Sequence, residues 1–99
     1  MKITKLTHAC LKLENKSSRI WIDPGNFTKE FLPEKAEAVI ITHLHDDHCH
    51  QPNIEKLLEL NPDTKIFSTA EVKEKLEGLD VTVVQHGDLF ELDGFSLEF

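Results

Sequence analysis

The chain has 99 residues, of which 39% are hydrophobic, and carries a formal charge of −7 at pH 7. This length accommodates one domain, so we treat residues 1–99 as a single unit. The acidic balance argues against a surface that binds nucleic acid through many phosphates. No stretch approaches the roughly 20 apolar residues of a membrane span. The start lacks the apolar core of a secretory signal, so we expect a cytoplasmic protein.

Extended structure is predicted first, at residues 3–7, 9–14 and 19–22, where apolar and polar side chains alternate or aromatic and β-branched residues cluster. A turn cluster at residues 15–18 makes these segments an antiparallel hairpin or meander. The turn formers Asp23-Pro24-Gly25-Asn26 then break the chain. The apolar run 38–42 predicts a buried central strand, because it leaves no polar face for water.

Helices and strands alternate in the second half. A short amphipathic helix is predicted over residues 52–60, with Pro52 in its first turn. A capping box at Ser68-Thr69-Ala70-Glu71 predicts a second helix that runs through Leu76 and stops at Gly78. The remaining strands are predicted at 65–68, 81–84, 89–92 and 95–99. This order indicates an α+β or α/β domain.

The last residues are also informative. Phe95, Leu97 and Phe99 alternate with polar residues up to the final position. Few domains finish inside an apolar strand, so we expect the chain to be a truncated piece of a longer fold. A genuine C-terminal edge strand is the alternative.

The sequence THLHDDHCH, residues 42–50, places four histidines and two aspartates directly after the predicted buried strand. Alternate side chains of an extended segment share a face, so His43 and His45 can bind one cation. Asp47 and His48 follow where the chain turns and can bind a neighbouring one. Two-metal hydrolysis uses ions roughly 3.5–4 Å apart. Imidazole and carboxylate ligands suit zinc, manganese or iron. A histidine-rich surface loop is the alternative.

The two cysteines are too few for a disulfide framework. Cys10 lies in an apolar strand pattern, which predicts a small core residue. Cys49 follows His48 and is either a metal ligand or a bystander.

THLHDDH resembles the His-x-His-x-Asp-His signature of the metallo-β-lactamase superfamily of metal-dependent hydrolases. LTHACLKLE and RIWIDPG resemble the N-terminal strands of its branch containing ascorbate-phosphate lactonase-like hydrolases. The resemblance covers essentially the whole chain. It implies an α+β fold, the αββα sandwich, of which residues 1–99 would be the N-terminal half: a β-sheet with two helices.

The resemblance also implies roles for individual residues. His43 and His45 would bind the first of two divalent metal ions, and Asp47 and His48 the second. Zinc is the expected metal, with manganese or iron as alternatives. Asp47 would also be the catalytic residue that orients the attacking water. Asp23 would fix a ligand histidine from behind, and His8 would lie near the site mouth.

Three further ligands of the family pattern lie downstream of the signature, and this chain offers only His86 and Asp88 there. In the family pattern HGDLFELDGF resembles the strand-turn-strand before the third histidine and not the histidine itself, so the resemblance does not imply that His86 is a ligand. The predicted function is hydrolysis of an ester, lactone or phosphodiester in a small molecule by a metal-bound hydroxide. We expect little or no activity from this chain alone. The alternative is a non-catalytic metal-binding module or a fragment that self-associates through the exposed face of a half sandwich.

Overall fold

The computed structural model describes residues 1–6, 9–26, 33–92 and 94–99. These residues form eight strands and two helices. In chain order they are β1 Lys2–Lys5, β2 Leu11–Glu14, β3 Arg19–Ile22, β4 Ala38–Ile40, α1 Gln51–Leu60, β5 Lys65–Ser68, α2 Ala70–Lys75, β6 Val81–Val83, β7 Leu89–Leu92 and β8 Phe95–Glu98.

Six strands form one mixed sheet in the order β1-β2-β3-β4-β5-β6. The first three pair antiparallel, which confirms the predicted meander. Asn15 closes the turn between β2 and β3, because its side-chain oxygen accepts from the backbone N–H groups of Ser17 and Ser18. From β3 to β6 the strands pair parallel, and α1 and α2 provide two of the crossovers. The α+β class is therefore confirmed.

The two faces of the sheet are covered differently, because successive side chains of a strand point to opposite sides. Trp21, Val39 and Ile66 pack in one core with Ile54 and Leu57 of α1. The same core contains Val72 and Leu76 from the α2 region, together with Cys10 and Cys49. β4 lies inside the sheet and buries both Ala38 and Val39, as predicted for a central strand.

The opposite face carries the two-stranded hairpin of β7 and β8. Phe67 of β5 is 1% exposed, and its ring centroid lies 4.8 Å from that of Phe90 and 5.7 Å from that of Phe99. The hairpin thus covers part of the face that was expected to be exposed: Ile20, Ala38 and Phe67 are buried, whereas Ile22 and Ile40 are only partly buried. Self-association through this face stays a prediction.

Two predicted boundaries shift for physical reasons. β4 ends at Ile40 rather than at Thr42, because the N–H of Thr42 donates to the Asp23 carboxylate instead of to a strand. The cap of α2 is Thr69, whose Oγ1 accepts from the N–H of Val72, and not Ser68. Ser68 is engaged elsewhere, since its hydroxyl donates to the carbonyl of Ile41 at 2.6 Å.

Neither helix within the described residues has the length and apolar character that crossing a bilayer requires.

Candidate metal centre

The predicted metal ligands lie at the carboxyl ends of two neighbouring parallel strands. β3 leads into Asp23, and β4 leads into the loop that contains His43 to His50. The N–H of Asp23 donates to the carbonyl of Ile40 at 2.9 Å, which ties the two strand ends together. Loops leaving this edge of a sheet commonly form ligand sites in α/β proteins, because the strands hold them in place.

Asp23 connects the two loops through both carboxylate oxygens. Its Oδ1 accepts from the N–H of Thr42 at 2.7 Å. Its Oδ2 accepts from the hydroxyl of Thr42 at 2.5 Å and lies 2.9 Å from Nδ1 of His48. Asp23 is 4% exposed and adopts a left-handed backbone conformation with φ of 50°, which aspartate tolerates better than most residues. The buried carboxylate therefore holds His48 from behind.

This contact determines which ring atom of His48 is available. A carboxylate can only accept a hydrogen bond, so Nδ1 carries the proton and donates. In the neutral ring Nε2 then presents its lone pair on the other side, where it lies 3.5 Å from Oδ2 of Asp47. At this separation the two atoms are close enough to bind one cation together. The pair fits a divalent metal on this observation, and its imidazole and carboxylate groups suit zinc, manganese or iron.

His43 lies beside the same histidine. Its ring packs edge to face on that of His48, with centroids 4.6 Å apart and an interplanar angle of 78°. The side chain of His45, two positions further along the loop, is exposed. His43 and His45 border a recess of about 350 Å³, which is within the size range of small-molecule sites. The other lining residues are Thr42, Leu44, Thr69 and Glu71.

Among the predicted ligands, His48 is in contact with both His43 and Asp47. Across residues 1–6, 9–26, 33–92 and 94–99, no three His, Cys, Asp or Glu side chains are grouped so that they could hold a metal ion. His8 lies outside the described residues, so its place at the site mouth stays a prediction. His86 is exposed in the turn between β6 and β7. The ligand assignment of His43, His45, Asp47 and His48 stays a prediction.

Cys49 belongs to the core and not to this pairing. Its side chain is fully buried among the residues that pack beneath the helices, as is that of Cys10. Burial raises the pKa of the Cys49 thiol, so the thiolate that binds metals is disfavoured at neutral pH. Of the two roles left open for Cys49, the bystander is the one that the fold supports.

The backbone of the loop is held by close approach on one side. Gly25 lies so near the loop that a Cβ at this position would be 1.9 Å from the carbonyl oxygen of Asp47. The N–H of Asn26 donates to the carbonyl of Asp46 at 2.8 Å. Buried Asn53 of α1 secures this turn, since its side-chain amide donates to the carbonyls of Pro24 and Gly25. The aspartate-proline-glycine turn is thus a platform for the loop.

On the other side the loop is held by Lys75 of α2. Its ammonium lies 2.7 Å from Oδ1 of Asp46, and this hydrogen bond holds the pKa of the Asp46 carboxyl below its ordinary value. No local pattern predicts the contact of Lys75, because it joins a helix residue to a loop about thirty positions earlier. The hydrogen bonds between Thr42 and Asp23 were not predicted either, although Thr42 begins the histidine motif.

A mixed sheet with a histidine- and aspartate-rich loop at the ends of its parallel strands agrees with the arrangement that the superfamily resemblance implies. A family model for the beta-lactamase superfamily domain matches residues 2–98, so the chain belongs to that family. The superfamily resemblance of the sequence motif is therefore confirmed, and so is the fold that it implies.

Individual proteins are also similar to this chain in sequence or structure. A crystal structure from Parabacteroides distasonis, assigned as a metal-dependent hydrolase, superposes with a TM-score of 0.75 at 29% identity, covering 89% of this chain and 39% of that one. Protein Rv0786c of Mycobacterium tuberculosis is 32% identical over 77% of this chain and 36% of its own length. Cytidine monophosphate-N-acetylneuraminic acid hydroxylase of Cricetulus griseus is 31% identical over 68% of this chain and 15% of its own. The chain thus spans well under half the length of each relative.

Proposed function

We propose that this chain contributes the histidine loop of a metal-dependent hydrolase that cleaves an ester, lactone or phosphodiester bond in a small molecule. The observation that carries the proposal is the buried Asp23 carboxylate, which lies 2.9 Å from Nδ1 of His48. A carboxylate behind a ligand histidine is a recurrent feature of metal sites, because it fixes the tautomer and the orientation of the ring. The family match and the solved hydrolase support the same class of activity.

In this proposal His43 and His45 hold one divalent metal ion, while Asp47 and His48 hold a second. Such ions, when bound, would lower the pKa of a coordinated water and supply a nucleophile at neutral pH. Asp47 has a further role, because its carboxylate can accept a hydrogen bond from the attacking water and aim it. The recess beside His43 and His45 is open to a small substrate.

The proposal includes low activity for the 99 residues by themselves. Catalytic zinc usually has three protein ligands and a water, whereas this assignment provides two ligands for each ion. The chain corresponds to 39% of the solved hydrolase, so the remaining ligands would come from the part of the fold that this chain does not match. Two ligands hold an ion loosely, and poor positioning alone can lower a rate by about 10²-fold.

Metal binding tests the ligand assignment. The chain is dialysed against zinc or manganese and its metal content is measured for the wild type, for the His43→Ala/His45→Ala double variant and for His86→Ala. We expect the double variant to lose metal. His86→Ala should retain metal, because His86 is exposed in the turn between β6 and β7, far along the chain from the histidine motif. Equal metal content in the wild type and the double variant would reject the site.

Activity is tested with a lactone, a phosphodiester and a thioester in both metals. We expect rates near background for residues 1–99 and turnover when they are joined to the remainder of a matching hydrolase fold. Turnover of the longer protein should disappear in Asp47→Ala. Robust hydrolysis by the 99 residues alone, abolished by Asp47→Ala, would show that two ligands for each ion suffice.

The second candidate is a non-catalytic metal-binding module. The observation that favours it over catalysis is that the described residues contain no group of three side chains that could hold a metal, which is the number of protein ligands that catalytic zinc usually has. The two candidates differ in the longer protein: a hydrolase gains turnover there, whereas a binding module gains only metal affinity.

A further inference from the structure

Among the described residues of α2, Lys75 is the one whose side chain makes several polar contacts with the histidine loop, the segment that contains His43 to His50. Its ammonium donates to the carbonyl of Leu44, to Oδ1 of Asp46 at 2.7 Å and to the carbonyl of Cys49 at 3.2 Å. An ammonium group has three N–H donors, so these contacts account for all of them. The Lys75 side chain is 30% exposed and that of Asp46 is 70% exposed, so the ion pair between them is open to water, while the contact with the carbonyl of Cys49 is partly buried.

The three acceptors have a particular place in the chain. Leu44 and Cys49 bracket the segment that contains His45, Asp47 and His48, and Asp46 lies at its middle. This segment has turns and bends in place of helix or strand, and inside it the N–H groups of His48 and Cys49 both donate to the carbonyl of His45 at 2.9 Å. A cation that binds both flanking carbonyls and the central carboxylate adds charge-assisted hydrogen bonds to this turn.

The charge of Lys75 by itself opposes metal binding. A positive group that contacts the ligand loop raises the electrostatic free energy of a divalent cation in the same loop. On charge alone, removal of the ammonium should increase the affinity for metal. If the ammonium shapes the loop, its removal should lower the affinity, because the ligands would no longer be held together. The sign of the change therefore separates the two effects.

We propose that Lys75 is a positioning residue that holds the histidine loop in its metal-binding conformation from the helix α2. This inference rests on the proposed function, since it concerns the same metal ligands. It adds a residue that lies outside the histidine motif and contacts no predicted ligand side chain in the described structure.

The test compares Lys75→Met, Lys75→Arg and Lys73→Met. Methionine retains most of the aliphatic stem but neither the charge nor the donors. Arginine retains the charge in a planar group of different geometry. Lys73 is exposed on the same short helix and serves as the matched control. Zinc affinity is measured by competition with a chelator, and amide hydrogen exchange of residues 42–50 is measured in the metal-free protein.

We expect Lys75→Met to bind zinc about 10-fold more weakly, as supporting residues of metal sites commonly do when lost. Exchange in residues 42–50 should accelerate while that of α1 stays unchanged. Lys75→Arg should bind with intermediate affinity, and Lys73→Met as the wild type does. If Lys75→Met does not fold, the arginine variant decides, because a pure charge effect predicts wild-type affinity for it.

The outcomes distinguish this inference from the proposed function. Unchanged or tighter zinc binding by Lys75→Met, in a chain where His43→Ala/His45→Ala abolishes binding, overturns the positioning role alone. Unchanged binding by the double histidine variant, or the absence of zinc binding by the wild type, overturns the metal site and the positioning role with it.

Discussion

Substitution of Gly25 by alanine should displace the backbone of the histidine loop, against which Gly25 packs. The added Cβ would lie 1.9 Å from the carbonyl oxygen of Asp47, 2.1 Å from its carbonyl carbon and 2.6 Å from the nitrogen of His48. All three are backbone atoms, so no side-chain rotation can relieve the contact. Ordinary van der Waals contact begins at 3.4 Å, so the two backbones must separate by about 1.5 Å. That displacement shifts both Asp47 and His48, which are two of the predicted ligands.

The expected magnitudes follow from this displacement. Overpacking of a filled site costs about 1–3 kcal/mol, which for a chain of this size lowers Tm by roughly 5–20 °C. Ligands displaced by more than 1 Å should weaken zinc binding by about 10- to 100-fold, the range found when supporting groups of metal sites are lost.

Thermal unfolding of the metal-free chain and zinc titration of the folded chain measure the two effects separately. Gly78→Ala is the control, because Gly78 has φ of +89° but open space around its Cβ position. This control should lower Tm through backbone strain and leave zinc affinity unchanged. A folded Gly25→Ala chain with wild-type zinc affinity would show that the turn at residues 23–26 does not support the ligands.

Three further changes test other parts of the structure. Asp23→Asn should lower zinc affinity by about 10- to 100-fold in a folded chain, because an amide offers one acceptor oxygen where the carboxylate uses two. Wild-type affinity in a zinc titration would show that Asp23 serves only the turn and does not support the metal site. Phe67→Ala should cost about 3–5 kcal/mol in urea unfolding, since its ring is buried beneath the hairpin; a loss below 1 kcal/mol would mean that the hairpin does not pack there. The hydrogen bond from Arg19 lowers the pKa of the Glu14 carboxyl in the folded chain. The interaction between Arg19 and Glu14 therefore stabilises the folded chain above the pKa of glutamate in the unfolded chain, about 4.3. This stabilisation is lost as the pH falls through the pKa of Glu14 in the folded chain. Urea unfolding at about pH 6 and about pH 3 should show a smaller loss of stability on acidification in Glu14→Gln than in the wild type, and equal losses would contradict the pairing.

Local patterns determined most elements and the identity of the chemical groups. The alternation in β2, the apolar run of β4 and the proline at the start of α1 are properties of a few neighbouring residues, and each element appears where the pattern indicates. The spacing of the metal-capable side chains in the histidine motif predicts a metal site without any knowledge of the fold; these residues are His43, His45, Asp47 and His48. The capping box failed because Ser68 and Thr69 both offer a hydroxyl, and only tertiary packing decides that Ser68 turns to the carbonyl of Ile41.

The supports of the site were decided by tertiary structure alone. Parallel pairing of β3 with β4 brings Asp23 to His48, which is 25 positions away along the chain. The crossover through α2 brings Lys75 to a loop that precedes it by about thirty positions. The hairpin covers part of the face that was expected to be exposed. It does so because Phe67, Phe90 and Phe99, far apart in the chain, pack together and bury apolar surface, a contact that no local pattern predicts. Sequence spacing determines which groups can share a face, but distance between groups far apart in the chain is decided by how strands pair and helices pack.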